Sequence, residues 1–146
     1  MRVAVILVNY GQWELTEKCI DSLNRSRGVD ISITLIDNCS TVSIPSWAVS
    51  RPGFRFKHME ENIGFAGGNN AGFRMSLADE AEYTFFLNND AEVLSETVRN
   101  LAGYLSGNPE TGIVAPAVYW TSDPKRLWSA GGKLVKWKMR CEQTNI

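Results

Sequence analysis

Polar and apolar positions along the chain follow two periods, and the switches between them mark out the elements. Val3 to Val8 is an unbroken apolar run, the pattern of a strand covered on both faces. In GQWELTEKCIDSLNRS, Trp13, Leu15, Cys19, Ile20 and Leu23 then recur at helical spacing with charges between them. A second strand is predicted over Ile31 to Ile36, ending at Asp37, and a short third one in FRFKHME. Between these two, Val42 to Pro52 holds two prolines, several serines and no period, and reads as loop. A Gly- and Asn-rich loop at 62–70 leads into a helix expected to begin near Asn69 and run through Leu77 and Ala78. YTFFLNND supplies a fourth strand. Ser95 is placed to cap a helix whose stripe is Val98, Leu101, Ala102 and Leu105. GIVAPAVYW is a further strand, with Pro116 marking an edge or a bend.

This order predicts an α/β fold, a mainly parallel sheet with helices on both faces. A length of 146 residues without repeat, low-complexity tract or linker predicts one domain, 1–146. Ligands of such sheets bind outside the carboxyl ends of the strands. Asn9 and Tyr10, Asp37, and Asn88 to Asp90 all fall at those ends, which is the first functional signal.

Composition narrows the field. At 44% hydrophobic and 21% charged the chain is an ordinary folded protein rather than a disordered one. Its net charge of −1 leaves no electrostatic footprint for nucleic acid, which is not expected as a partner. Cys19, Cys39 and Cys141 are odd in number and lack metal or disulfide spacing, so a reducing, cytoplasmic setting is expected. MRVAVILVNYG has no cleavage pattern and reads as a strand rather than a signal peptide. No stretch approaches the ~20 apolar residues of a membrane helix.

The end of the fourth strand carries the chemistry. Asn88, Asn89 and Asp90 follow a segment built for burial, where unpaired polar groups would cost roughly 2–7 kcal/mol each. They therefore face water, a ligand or a metal. One aspartate supported by an amide oxygen suits magnesium or manganese on a diphosphate, because such ions keep few protein ligands. The same three residues are also good turn chemistry, and taken alone favour a turn. In ENIGFAGGNNAG, Gly64, Gly67, Gly68 and Gly72 would let the backbone approach a ligand, and a helix entry there would face an anion. A Gly-rich helix entry with an Asn cap is the plainer reading of that loop. NYGQWE after the first strand lacks a glycine fingerprint, which disfavours a nicotinamide-dependent oxidoreductase.

Taken together and in order, VILVNYG, LIDNCST, ENIGFAGGNNAGF, FFLNND and RLWSAGG resemble family 2 glycosyltransferases, in the branch that includes bacterial rhamnosyltransferases of cell-surface polysaccharides. The likeness runs from Val3 to Gly132. It implies the GT-A fold, a single domain that binds a nucleoside-diphosphate sugar, and inverting transfer helped by Mg2+ or Mn2+. The donor implied is dTDP-rhamnose or a UDP-sugar; the acceptor is a polysaccharide or lipid-linked saccharide. By position, Asn9 and Tyr10 would line the nucleobase pocket largely through backbone, and Asp37 would contact base or ribose. Asn88-Asn89-Asp90 stands at the Asp-x-Asp position, with Asp90 on the metal and Asn88 or Asn89 on ribose or phosphate. Asn62, Gly64, Asn70 and Gly72 match the family loop, whereas Gly68 and Asn69 stand where Ala and Arg are usual. That departure removes a cation near the donor and implies more reliance on metal and backbone.

A general base is not identified. The resemblance puts that carboxylate well downstream of WSAGG, and the last carboxylate here is Glu142. Glu92 reads as a solvated turn residue and His58 as a surface or edge residue. Two expectations follow: a truncated, non-catalytic nucleotide-sugar-binding or interaction module, or an enzyme whose base comes from a second subunit or another position. In KLVKWKMRC, Val135, Trp137 and Met139 alternate with Lys136, Lys138 and Arg140. An edge strand guarded by lysines is the preferred reading, with peripheral membrane contact the functional one. Uncovered, Trp137 would offer a homodimer surface.

Overall fold

The computed structural model describes residues 1–50, 53–135 and 140–143. Lys136 to Met139, on which most of the amphipathic tail reading and the Trp137 dimer surface rest, lie outside the described residues. The chain divides into two compact units, Met1–Ala102 and Gly103–Ile146.

The first unit is built on four parallel strands, β1 (Arg2–Asn9), β2 (Asp30–Asp37), β3 (Phe54–His58) and β4 (Tyr83–Asn88), in the order β3-β2-β1-β4. Both faces of β1 are apolar because both are covered. On one face, Cys19, Ile20 and Leu23 of α1 (Trp13–Asn24) join Val3, Val5, Leu7, Ile33 and Leu35. Val98 and Ala102 of α4 (Thr97–Gly107) complete that core. On the other face lies α3 (Gly64–Ser76), whose Gly68 and Gly72 abut Val8 and Ile6. A Cβ on Gly68 would stand 2.8 Å from a Val8 methyl, and one on Gly72 would overlap Ile6. These two glycines set how closely the helix approaches the sheet.

Four element expectations are corrected. The stretch 42–52 is not all loop: α2 (Ser46–Ser50) buries Ala48, and Trp47 meets Trp13 edge-on at 6.0 Å between ring centroids. One turn and a half is too short to show a period. The third helix begins at Gly64, well before Asn69, because its buried positions are Gly68, Gly72 and Ser76. Those positions have helical spacing but no apolar side chains, so no stripe was visible. Ser95 does not cap α4; its hydroxyl donates to Glu96 Oε2 at 2.7 Å and the helix opens at Thr97. Of GIVAPAVYW only Val118–Trp120 is strand.

That strand, β5, pairs antiparallel with β6 (Asp123–Ser129) in the second unit, and β7 (Gly132–Val135) pairs antiparallel with β8 (Arg140–Gln143). The Arg126 guanidinium lies 5.5 Å from the Trp120 ring centroid, a cation–π contact inside the first hairpin.

At the amino end of the parallel sheet a second polar cluster fastens the layers. Asp79, 8% exposed in the 3-10 turn after α3, accepts the Ser32 hydroxyl at 3.0 Å and pairs with Arg55. Arg2 Nη1 donates to the Asp79 carbonyl at 3.1 Å. Strands β1, β2 and β3 are thus tied to one turn.

Candidate functional site

Parallel pairing brings Asn9, Asp37 and His58 level with one another at the carboxyl ends of β1, β2 and β3. Side chains alternate along strands, so all three share the face of Leu7, Leu35 and Phe56. Asn9 is fully buried and saturated. Its Oδ1 accepts from Gln12 N (3.1 Å) and Asn89 Nδ2 (3.3 Å) and lies 3.0 Å from Thr16 Oγ1. Its Nδ2 donates to Asp37 Oδ1 (3.1 Å) and Ser40 Oγ (3.2 Å).

Asp37 is 0% exposed and equally saturated. Oδ1 takes Asn9 Nδ2 and a short bond from Ser40 Oγ; Oδ2 takes Ser40 N at 3.4 Å and His58 Nδ1 at 2.7 Å. Ser40 Oγ also accepts from Gly11 N at 2.7 Å, which binds the loop after β1 to the loop after β2. Tyr10, in the loop after β1, is 54% exposed.

On the opposite face Asn38 organises the entry to α3. It donates to Asn62 Oδ1 (2.9 Å) and the Gly64 carbonyl (3.2 Å) and accepts from Ile63 N (3.1 Å). Asn62 Oδ1 also accepts from Gly64 N at 2.9 Å. Gly64 has φ +74, a conformation that favours glycine. Of the loop residues singled out in the sequence, Asn62 and Gly64 are therefore brought together. Gly68, Asn69 and Asn70 lie further along the helix, with Asn69 Nδ2 on the Phe65 carbonyl at 3.0 Å.

Strand β4 ends at Asn88, and Ala91 N donates to the Asn88 carbonyl at 3.1 Å, closing a turn. The turn divides the trio. Asn89 sends its amide nitrogen inward to Asn9 and to Thr16 Oγ1 (2.9 Å), while Asn88 and Asp90 are exposed. Cys19 sits beneath, its thiol 3.7 Å from the Asn88 carbonyl. Burial, then the Asp90 and Glu92 carboxylates, push the Cys19 thiol up to about 12.

Among the described residues no three His, Cys, Asp or Glu side chains cluster as a metal cage. The residues present do fit an ion that takes one protein carboxylate and fills its other positions with phosphate oxygens and water. Asp90 is that exposed carboxylate. Asn88 and Asn89 beside it carry amide carbonyl oxygens, which are hard donors.

His58 is exposed on the edge strand β3, as expected; what sequence reasoning missed is its bond to Asp37, together with the parts played by Thr16, Ser40 and Asn38. His58 is 43% exposed by side chain, yet one ring nitrogen is committed to a buried carboxylate. The available signal was positional: a polar residue ending β3 must meet one ending β2 if the parallel strands stop level.

A parallel α/β sheet with a polar row at its carboxyl ends and a carboxylate on the adjoining turn is the class that fold and site define. The comparisons with known proteins agree. The family model for Glycosyl transferase family 2 matches residues 4–145, and this chain belongs to that family. It is 33% identical over 101 residues to the low-salt glycan biosynthesis hexosyltransferase Agl10 of Haloferax volcanii, covering 68% of this chain and 31% of that protein. An uncharacterized protein of Mycobacterium tuberculosis, Rv1525, is 36% identical over 85 residues, 58% of this chain and 29% of that one. Among solved structures, the mannosyltransferase PcManGT from Pyrobaculum calidifontis, in complex with GDP-Man and Mn2+, superposes with a TM-score of 0.67 at 22% identity over 85% of this chain and 37% of its own. S. aureus TarS 1-349 in complex with UDP-GlcNAc gives 0.64 at 18% identity over 83% and 38%. These likenesses establish the GT-A fold. The chain spans under a third of the length of the curated relatives it matches. Among the described residues no helix is long and apolar enough to cross a membrane.

Proposed function

We propose that this chain holds the donor of an inverting glycosyltransferase, which passes a sugar from a nucleoside diphosphate to a polysaccharide or lipid-linked saccharide acceptor. One observation carries the reading: the row Asn9, Asp37, His58 ends beside the Asn89–Asp90 turn, all at the carboxyl ends of one parallel sheet. In this reading the nucleoside lies along the row, near Tyr10 and the backbone of Asn9, and the diphosphate reaches the turn. Asp90, with an amide oxygen of Asn88 or Asn89, would hold Mg2+ or Mn2+, and such an ion neutralises charge on the departing diphosphate. Asn9 and Asp37 keep the loops after β1 and β2 in one arrangement, so the donor meets a preformed surface. Asn62 and Gly64 fix the loop on the other side of the sheet, from which Asn69 and Asn70 follow on the helix.

The bound molecules named for PcManGT and TarS, GDP-Man with Mn2+ and UDP-GlcNAc, support a nucleoside-diphosphate sugar as ligand class. Within that class we assign dTDP-rhamnose or a UDP-sugar to this chain. Cys19 and Cys39 are free thiols, in keeping with a reducing, cytoplasmic setting. Calorimetric titration with UDP, dTDP and GDP, each with and without manganese, tests the reading. Micromolar-to-millimolar binding that weakens in chelator and in Asp90→Ala is expected. Affinity indifferent to both refutes the metal assignment, and failure of all three nucleotides to bind refutes the donor reading.

A further inference from the structure

We infer that Thr16, Cys19 and Ser22 of α1, together with the Asn89 side chain, position the Asp90 turn for its ion; the inference rests on the donor reading above. The three helix residues recur at every third position, so they follow one side of α1, and all are fully buried. Each meets a different point of the segment after β4. Asn89 Nδ2 donates to Thr16 Oγ1 at 2.9 Å. The Cys19 thiol lies 3.7 Å from the Asn88 carbonyl. Ser22 Oγ accepts from Val93 N at 3.0 Å and donates to the Cys19 carbonyl at 2.7 Å. Asp90 is exposed between these anchors, with Asn89 held before it and Val93 after it.

The polarity of the bonds at Asn89 is set by the backbone. Gln12 N can only donate, so the Asn9 side-chain atom 3.1 Å away is the oxygen, Oδ1. The Asn89 atom that stands 3.3 Å from Asn9 Oδ1 is therefore the nitrogen. Thr16 Oγ1 gives its one proton to the Gln12 carbonyl or to Asn9 Oδ1, each 3.0 Å away, and keeps a lone pair for Asn89. Both N–H groups of Asn89 are thus spent inward, on Asn9 and on Thr16. An aspartate of the same shape would set an oxygen against Asn9 Oδ1.

An ion with a single protein carboxylate depends on where that carboxylate is held, and Mg2+ in particular demands near-ideal geometry. Groups that orient a ligating carboxylate change metal affinity without touching the ion. Thr16 and Ser22, with no solvent exposure, reach neither ion nor nucleotide, so their influence passes through the turn.

The test titrates the chain with UDP, dTDP and GDP by calorimetry, with manganese and in chelator, beside a thermal melt. Thr16→Val and Ser22→Ala should each weaken manganese-dependent binding about tenfold, the scale of losing a group that orients a metal ligand, and leave affinity in chelator unchanged. Thr16→Ser keeps the hydroxyl and should bind as the wild type does. Asn89→Asp separates positioning from ligation by sign. A second carboxylate on the ion tightens manganese-dependent binding, whereas a turn pushed away from Asn9 loosens it, and a loss of about tenfold is expected. Unchanged manganese-dependent binding in folded Thr16→Val and Ser22→Ala, or tighter binding in Asn89→Asp, overturns the inference while the donor reading stands. Should Thr16→Val fail to fold, Ser22→Ala and Asn89→Asp decide on the same criteria. Wild-type binding indifferent to manganese removes the metal assignment and this inference together, and failure of all three nucleotides to bind removes the donor reading as well.

Discussion

Asp37 and His58 are register partners on neighbouring parallel strands, and Asp37 Oδ2 receives His58 Nδ1 at 2.7 Å. The bond joins a carboxylate with no solvent exposure to a ring that is nearly half exposed. Asp37→Ala would strand donors on Asn9, Ser40 and His58 at once. Breaking a buried charged hydrogen-bond network costs about 3 kcal/mol or more. Urea unfolding should show that loss as a lower midpoint with an unchanged slope.

Two glycines on different helices should respond in opposite directions. Gly72→Ala pushes a methyl into Ile6, and overpacking of this kind costs about 1–3 kcal/mol. Gly103, in α4, faces open space, so Gly103→Ala should add about 1 kcal/mol through helix propensity alone. Thermal melts of the pair provide the check.

Cys19 should resist alkylation in the folded protein at pH 8, while the more accessible Cys39 reacts. The reason is that the thiolate is the nucleophile, and burial holds the Cys19 thiol up to about 12, from an ordinary value of 9.0. The sign for stability follows. Between pH 9 and 12 the unfolded chain loses this proton and the folded chain keeps it, so stability falls as pH rises through that window. A mass-spectrometric labelling series and unfolding at graded alkaline pH measure the two effects.

Asp90→Ala should separate binding from folding. The residue is exposed, so its removal should change stability by no more than about 0.5 kcal/mol. Manganese-dependent nucleotide affinity should drop about tenfold or more, as expected for losing the one protein carboxylate on the ion. A melt and a titration on the same sample decide it.

Asp79→Ala probes the far end of the sheet. It removes the partner of Arg55 and of the Ser32 hydroxyl from a nearly buried position. Arg55 is 40% exposed by side chain and can turn to water, so the expected cost is about 1–3 kcal/mol rather than that of a fully buried pair. Nucleotide affinity, if measured alongside, should not change.

The sequence alone determined the succession of the first four strands along the chain and the residues at their ends, because apolar runs such as Val3–Val8 are fixed by burial on both faces. For the same reason it placed Asn9, Asp37 and Asn88–Asp90 where a ligand of an α/β sheet would lie. The start of α3 was hidden because Gly68, Gly72 and Ser76 pack without apolar side chains. Only the tertiary structure decided that Asn89 turns inward, that Asp37 is buried among four hydrogen bonds and that the exposed His58 closes the row at the sheet edge. Those outcomes depend on which residues of separate strands stop level, and parallel strands joined through intervening segments carry no local signal of their register.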